Sequence, residues 1–174
     1  MFASIIPITA DYDVWLMSHD HERENQTVDG RHPLLTGVEG GLFATVVMTL
    51  FREPTARALP PTAEFLARYL SGEQADYPVA AFVLHLLYGI GAGIVFVPIF
   101  TTMIGETDEP ETVGLVTGAI YGLAASVFGE RVVLARMLNM KLDTDEAAVF
   151  YAGHLIYGLT LGVWVGSRSW FSHS

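Results

Sequence analysis

The 174-residue sequence contains no cysteine and a single lysine, Lys141. Without cysteine there can be no disulfide, no thiolate metal ligand and no lipid-bearing thiol. Charge of any kind is scarce: 16% of the residues are Asp, Glu, Lys or Arg, against roughly 25% in an average soluble domain. That is too little polar surface for a water-soluble globule. What charge exists is mostly negative, with nineteen acidic residues against nine basic ones and a net charge of −10. Nucleic acid is thereby disfavoured as a partner, because phosphate binding draws on Lys and Arg.

Apolar residues are abundant, at 51% of the chain, and they gather in long stretches almost free of charge. Those stretches, Leu34–Phe51, Pro78–Ile104, Thr112–Gly129 and Ala147–Gly166, approach or exceed the roughly 20 apolar residues that cross a hydrocarbon core, which sets spans at about 34–51, 78–104, 112–137 and 147–167. The first is the shortest and contains Glu39. The expectation is an all-α polytopic membrane protein: an acidic N-terminal tail over 1–33, a four-helix transmembrane domain over 34–167, and a C-terminal tail over 168–174. The opening "MFASIIPITADYD" has no basic n-region, and Pro7 interrupts its apolar run. It therefore reads as part of the mature chain, partly disordered or lying at the interface, rather than as a signal peptide.

Basic residues set the expected orientation. Arg52, Arg57 and Arg68 follow the first span, and Arg131, Arg136 and Lys141 attend the end of the third. The tails carry only Arg23, Arg31 and Arg168. Both termini are thus expected outside, with the two basic loops in the cytoplasm. Within the first loop, "ALPPTAEFLARYLSG" offers Pro61 to start a helix and Gly72 to follow its end. Phe65, Leu66, Tyr69 and Leu70 share one face and Glu64 and Arg68 the other, which suits a short amphipathic helix in the interface or under the bundle mouth.

The clearest motif occurs twice. "HLLYGIGAG" begins at His85 and "HLIYGLTLG" at His154. The first and third spans match more loosely: Gly37 and Gly41 align with Gly114 and Gly118, Thr49 with Ser126, Phe51 with Phe128, and Glu53 with Glu130. This reads as two tandem helical hairpins, parallel copies about an axis along the membrane normal. "FREPTARALPPTAEF" together with the two H-L-x-Y-G copies resembles a group of small multi-pass membrane proteins of haloarchaea, over about residues 34–166. The resemblance implies a membrane location and a salt-loving source, which the acidic, lysine-poor outer segments also suit. It lends no catalytic or binding residue.

On a helix His85, Gly89 and Gly93 share a face, as do His154, Gly158 and Gly162, with Tyr88 and Tyr157 flanking. Three readings follow. The glycines, with Gly37, Gly41, Gly114 and Gly118, let helices approach closely, and the histidines hydrogen-bond to neighbours. Alternatively, His85 and His154 are the axial pair of a haem b in an electron-transfer protein, which requires their helices to stand diagonally. Thirdly, the histidines, with Tyr88 and Tyr157 as hydrogen-bond partners, form a polar site for a proton, ion or small anion. Glu39 and Glu130 are carboxylates at the membrane edges, Glu130 beside Arg131.

Other constellations carry less. "SHDHERE" (His19, Asp20, His21, Glu22) reads as a solvated acidic segment rather than a metal site. "GIGAG" lacks the lysine of a phosphate loop and lies in an apolar span. No nucleophile–base pair is identifiable. The expectation is a non-enzymatic transporter-like or accessory component of the bilayer, without metal or cofactor unless the haem reading holds. Its glycine-lined faces suit a homo-oligomer or a larger membrane complex.

Overall fold

The structure is a computed structural model, and it describes residues 33–53, 61–104 and 108–169. The N-terminal tail, with the His19–Asp20–His21–Glu22 cluster, and the last residues of the C-terminal tail lie outside the described residues. Among the described residues five α-helices follow in order: α1 (Pro33–Arg52), α2 (Pro61–Leu70), α3 (Pro78–Met103), α4 (Pro110–Phe128) and α5 (Thr144–Ser169). A short 3₁₀ turn, Gln74–Asp76, precedes α3, and α4 runs on into a π-helical stretch, Gly129–Met137. No strand occurs among the described residues.

The helix starts follow from the sequence. The first four begin on proline, whose missing N–H is no loss there and whose fixed φ suits the first turn. The fifth opens with a capping box: Glu146 N–H donates to Asp143 Oδ1 at 2.8 Å, and Asp143 N–H to Glu146 Oε2 at 3.2 Å. Helix α2 ends where expected. Ser71 (φ 66°) and Gly72 (φ 133°) turn the chain into left-handed conformations that break the helix.

Among the described residues four helices are long and apolar enough to cross a membrane: Pro33–Arg52, Pro78–Met103, Pro110–Met137 and Thr144–Arg168. They differ from the spans read in the sequence only at their ends, with one correction. The last nine residues of the third span wind as π-helix, which the apolar count could not distinguish from α. Many large apolar side chains point outward, among them Leu50, Leu87, Val95, Ile120 and Phe128. In water such a surface would drive association; against lipid tails it is matched.

Helix α1 packs on α3 and on α5, and α4 packs on α5. Helices α3 and α4 meet mainly through side chains. Tyr121 donates to the Ala92 carbonyl at 2.8 Å, and its ring lies 5.2 Å from that of Phe96. Helices α3 and α5 stand across the bundle from each other, linked by Tyr157. A core of Ala44, Met48, Phe96, Val97, Phe100, Tyr157, Leu161 and Val165 fills the space between.

Two helix pairs approach backbone to backbone. A Cβ on Gly37 would fall 2.7 Å from the Ile94 Cα, and one on Gly41 3.0 Å from the Ile90 Cα. Likewise a Cβ on Gly114 or Gly118 would overlap the carbonyl oxygens of Gly162 and Gly158, and the reverse also holds. Thus Gly89 and Gly93 face α1, while Gly158 and Gly162 face α4. The two H-L-x-Y-G glycine stripes do not touch each other.

Candidate functional site

Between the end of α1, the start of α5 and the π-helical stretch the bundle opens into a cavity of about 250 Å³. Its walls come from Met48 and Arg52 of α1, Leu84, His85 and Tyr88 of α3, Val133, Leu134 and Met137 of the π-helical stretch, and Phe150 and His154 of α5. Pro61, Thr62 and Phe65 of α2 close it. Helix α2 is held over the mouth by Arg68, which donates to the Leu138 carbonyl at 2.6 Å, and by a bond from Gln74 Nε2 to Glu64. Ala63 is buried beneath it, whereas Tyr69 and Leu70 are exposed.

The cavity brings both motif histidines to one place, in unequal settings. His154 is buried, its Nδ1 lying 2.9 Å from the Phe150 carbonyl and its ring 4.3 Å from that of Phe150. A carbonyl can only accept, so Nδ1 carries the hydrogen, and in the neutral ring Nε2 is an acceptor. His85 is only half-buried.

The tyrosines separate. Tyr88 lines the cavity and is 45% exposed. Tyr157 is 4% exposed and turns away, donating to the Gly89 carbonyl at 2.7 Å. Of the four residues grouped by the motif, three share the cavity and one ties α5 to α3.

Two further wall residues escaped the sequence reading. In the sequence Arg52 reads only as a topology signal. Thr62 carries no pattern of its own, yet its Oγ1 is buried without a hydrogen-bond partner. Only the packing of α2 over the bundle reveals it.

Neither edge carboxylate belongs to this site. Glu39 pairs with Arg168 at the opposite end, and the Arg168 guanidinium lies 4.1 Å over the Trp164 ring. Glu130 accepts a hydrogen bond from the Tyr151 hydroxyl. Gly37, Gly41, Gly89, Gly93, Gly114, Gly118, Gly158 and Gly162 sit at helix contacts rather than on the cavity.

The histidine helices do stand diagonally, as a haem would require. However, a cavity of about 250 Å³ falls below the roughly 300–1,000 Å³ of sites for drug-sized ligands, and a porphyrin is larger than those. Tyr157 and the core aromatics occupy the rest of the space between α3 and α5. Among the described residues no three His, Asp or Glu side chains group as metal ligands.

No protein-family model, curated protein or solved structure matches this chain.

Proposed function

We propose that this chain is a non-enzymatic, transporter-like or accessory component of a cell membrane, built from two tandem helical hairpins and binding a small molecule in the cavity under α2. One observation carries the binding reading. Arg52, His85, His154 and Tyr88, from three different helices, converge on a single largely apolar cavity, the usual composition of a small-molecule site.

The hairpin duplication is supported by contact register. Gly37 meets Gly93 as Gly114 meets Gly162, and Gly41 meets Gly89 as Gly118 meets Gly158, the same correspondence that aligns the sequences. Close glycine contact is then what holds each hairpin, since dispersion and backbone approach replace the hydrophobic effect in lipid. The distribution of basic residues supports both termini outside, and protease protection of terminal tags in intact cells tests that. The acidic, lysine-poor segments support a haloarchaeal source.

The binding reading is tested by incubating purified protein in detergent with a metabolite extract of its host, desalting, and recording native mass spectra. Wild-type protein is expected to retain small-molecule adducts that Leu84→Phe and Val133→Phe, which fill the cavity, do not. Equal retention by all three, with folding verified by circular dichroism, would remove the reading.

A further inference from the structure

We propose that the cavity is entered sideways from the bilayer, between α3 and the π-helical stretch, and takes a neutral, lipid-dissolved molecule of about the size of two fused aromatic rings. This rests on the cavity being a ligand site.

The side wall is thin there. Helix α1 packs on both α3 and α5, whereas α3 and α4 meet mainly through side chains, Tyr121 reaching Ala92 and Phe96. Nearer to α2 the cavity lies between the two, with Leu84 and Tyr88 as one lip and Met137 as the other. Each lip faces two ways. Tyr88 is 45% and Met137 40% exposed, although both line the cavity. Leu84 lines the cavity and also an open groove outside α3, where Val79, Val83 and Leu87 are exposed. Four residues apart, Leu84 and Tyr88 stack along one edge of α3, between its cavity face and its outer face. A single layer of side chains thus parts the cavity from the surface. The close glycine contacts of α3, at Gly89 and Gly93, are with α1, so the lips can change rotamer without parting them. The way in under α2 is covered by Pro61, Thr62 and Phe65 and tied down by Arg68.

The route selects the ligand. Both lips belong to segments long and apolar enough to cross a bilayer, Pro78–Met103 and Pro110–Met137, and the groove outside them is apolar. A charge is costly in hydrocarbon, so what arrives by this path is neutral. Size adds a limit. A dry engineered cavity of about 150 Å³ holds benzene, so about 250 Å³ leaves room for a second fused ring. Inside, Met48, Phe65, Leu134 and Phe150 give such a body the apolar contact that it had among lipid tails.

The test uses the absence of cysteine from the chain, which makes one introduced thiol the sole target. Leu134→Cys places it on the cavity wall, and Asp145→Cys, at an exposed position, is the reference. The full chain in lipid nanodiscs, which leave both membrane faces open to water, is treated with neutral benzyl methanethiosulfonate or anionic sulfonatoethyl methanethiosulfonate. Labelling is followed by mass spectrometry, and each reagent's rate is divided by its rate on Asp145→Cys. The neutral reagent is expected to label Leu134→Cys about tenfold faster than the anionic one on this scale, charge being costly in hydrocarbon. Adding Tyr88→Ala, which widens the lip, should speed the neutral reagent severalfold, whereas adding Arg68→Ala, which loosens α2, should leave it unchanged. Equal rates for the two reagents, or acceleration by Arg68→Ala and not by Tyr88→Ala, would place the entrance under α2 and overturn the lateral route. Failure of both reagents to label Leu134→Cys, with adducts still retained from extract, overturns the route and leaves the cavity a ligand site. Lateral labelling with no adduct retained overturns the ligand reading instead.

Discussion

The Tyr157 hydroxyl on α5 donates to the backbone carbonyl of Gly89 on α3, 2.7 Å away. Each partner belongs to a different copy of the H-L-x-Y-G motif, so the second copy's tyrosine reads the first copy's glycine. Tyr88, at the same motif position, is 45% exposed beside the cavity. The two tyrosines at this motif position thus do different jobs, a structural bond across the bundle and a cavity wall.

That division predicts unequal cost. Buried interhelical hydrogen bonds in membrane proteins contribute about 0.6 kcal/mol on average and up to about 1.7 kcal/mol. Tyr157→Phe is expected to destabilise within that range, whereas Tyr88→Phe should stay within about 0.5 kcal/mol of wild type. Unfolding in mixed micelles with increasing dodecyl sulfate, followed by circular dichroism, measures both. Equal effects would mean that the Gly89 contact adds nothing to stability.

Glycine position separates contact from composition. A Cβ at Gly158 would overlap the Gly118 carbonyl, whereas at Gly91, in the same run of α3 glycines, it would meet nothing within 4 Å. Gly158→Ala is expected to cost about 1–3 kcal/mol through forced separation of α4 and α5. Gly91→Ala should be neutral or stabilising by up to about 1 kcal/mol through helix propensity. The same unfolding titration reads both, and a Gly91→Ala loss as large as that of Gly158→Ala would contradict the close contact of Gly158 with Gly118.

The uneven legibility of the sequence has physical causes. Apolar length reported the four long helices because a bilayer imposes it, and Pro61 with Gly72 marked α2 because helix ends need particular backbone chemistry. The cavity was only half legible. His85 and His154 stood out because ionisable residues are costly in an apolar span, but Tyr157 shares their motif and points elsewhere. Arg52 joins the site through the way the end of α1 packs beside α3 and α5, and Thr62 through the way α2 lies across the bundle, tertiary facts with no periodic signature. The π-helical winding of Gly129–Met137, which brings Val133, Leu134 and Met137 to the cavity wall, likewise leaves the hydrophobic pattern unchanged.

The haem alternative makes a spectroscopic prediction. With Tyr157 and the core aromatics filling the space between α3 and α5, protein purified from haem-replete cells is expected to be colourless. A Soret band that shifts on dithionite reduction and disappears in both His85→Ala and His154→Ala would instead establish the axial pair and require the two helices to separate. The absorption spectrum of a single preparation distinguishes the outcomes.

Arg68 ties the helix over the cavity to the end of the π-helical stretch. The π-helical stretch ends with Leu138 N–H bonded to the Val133 carbonyl at 3.0 Å and Met140 N–H to the Leu134 carbonyl at 2.8 Å. Past a helix end, carbonyls lose their helical partners, and that of Leu138 accepts from Arg68 at 2.6 Å. Helix α2 has only ten residues, too few to be stable alone in water, so its order depends on such contacts. Removing one hydrogen bond of about 1 kcal/mol should speed local opening roughly fivefold. Arg68→Ala is therefore expected to accelerate amide exchange within Pro61–Leu70 by about that factor, with α4 and α5 unchanged and Arg68→Lys intermediate. Exchange that rises equally in every helix would show instead that Arg68 supports the whole bundle, and exchange that does not rise at all would show that α2 is held by its apolar contacts.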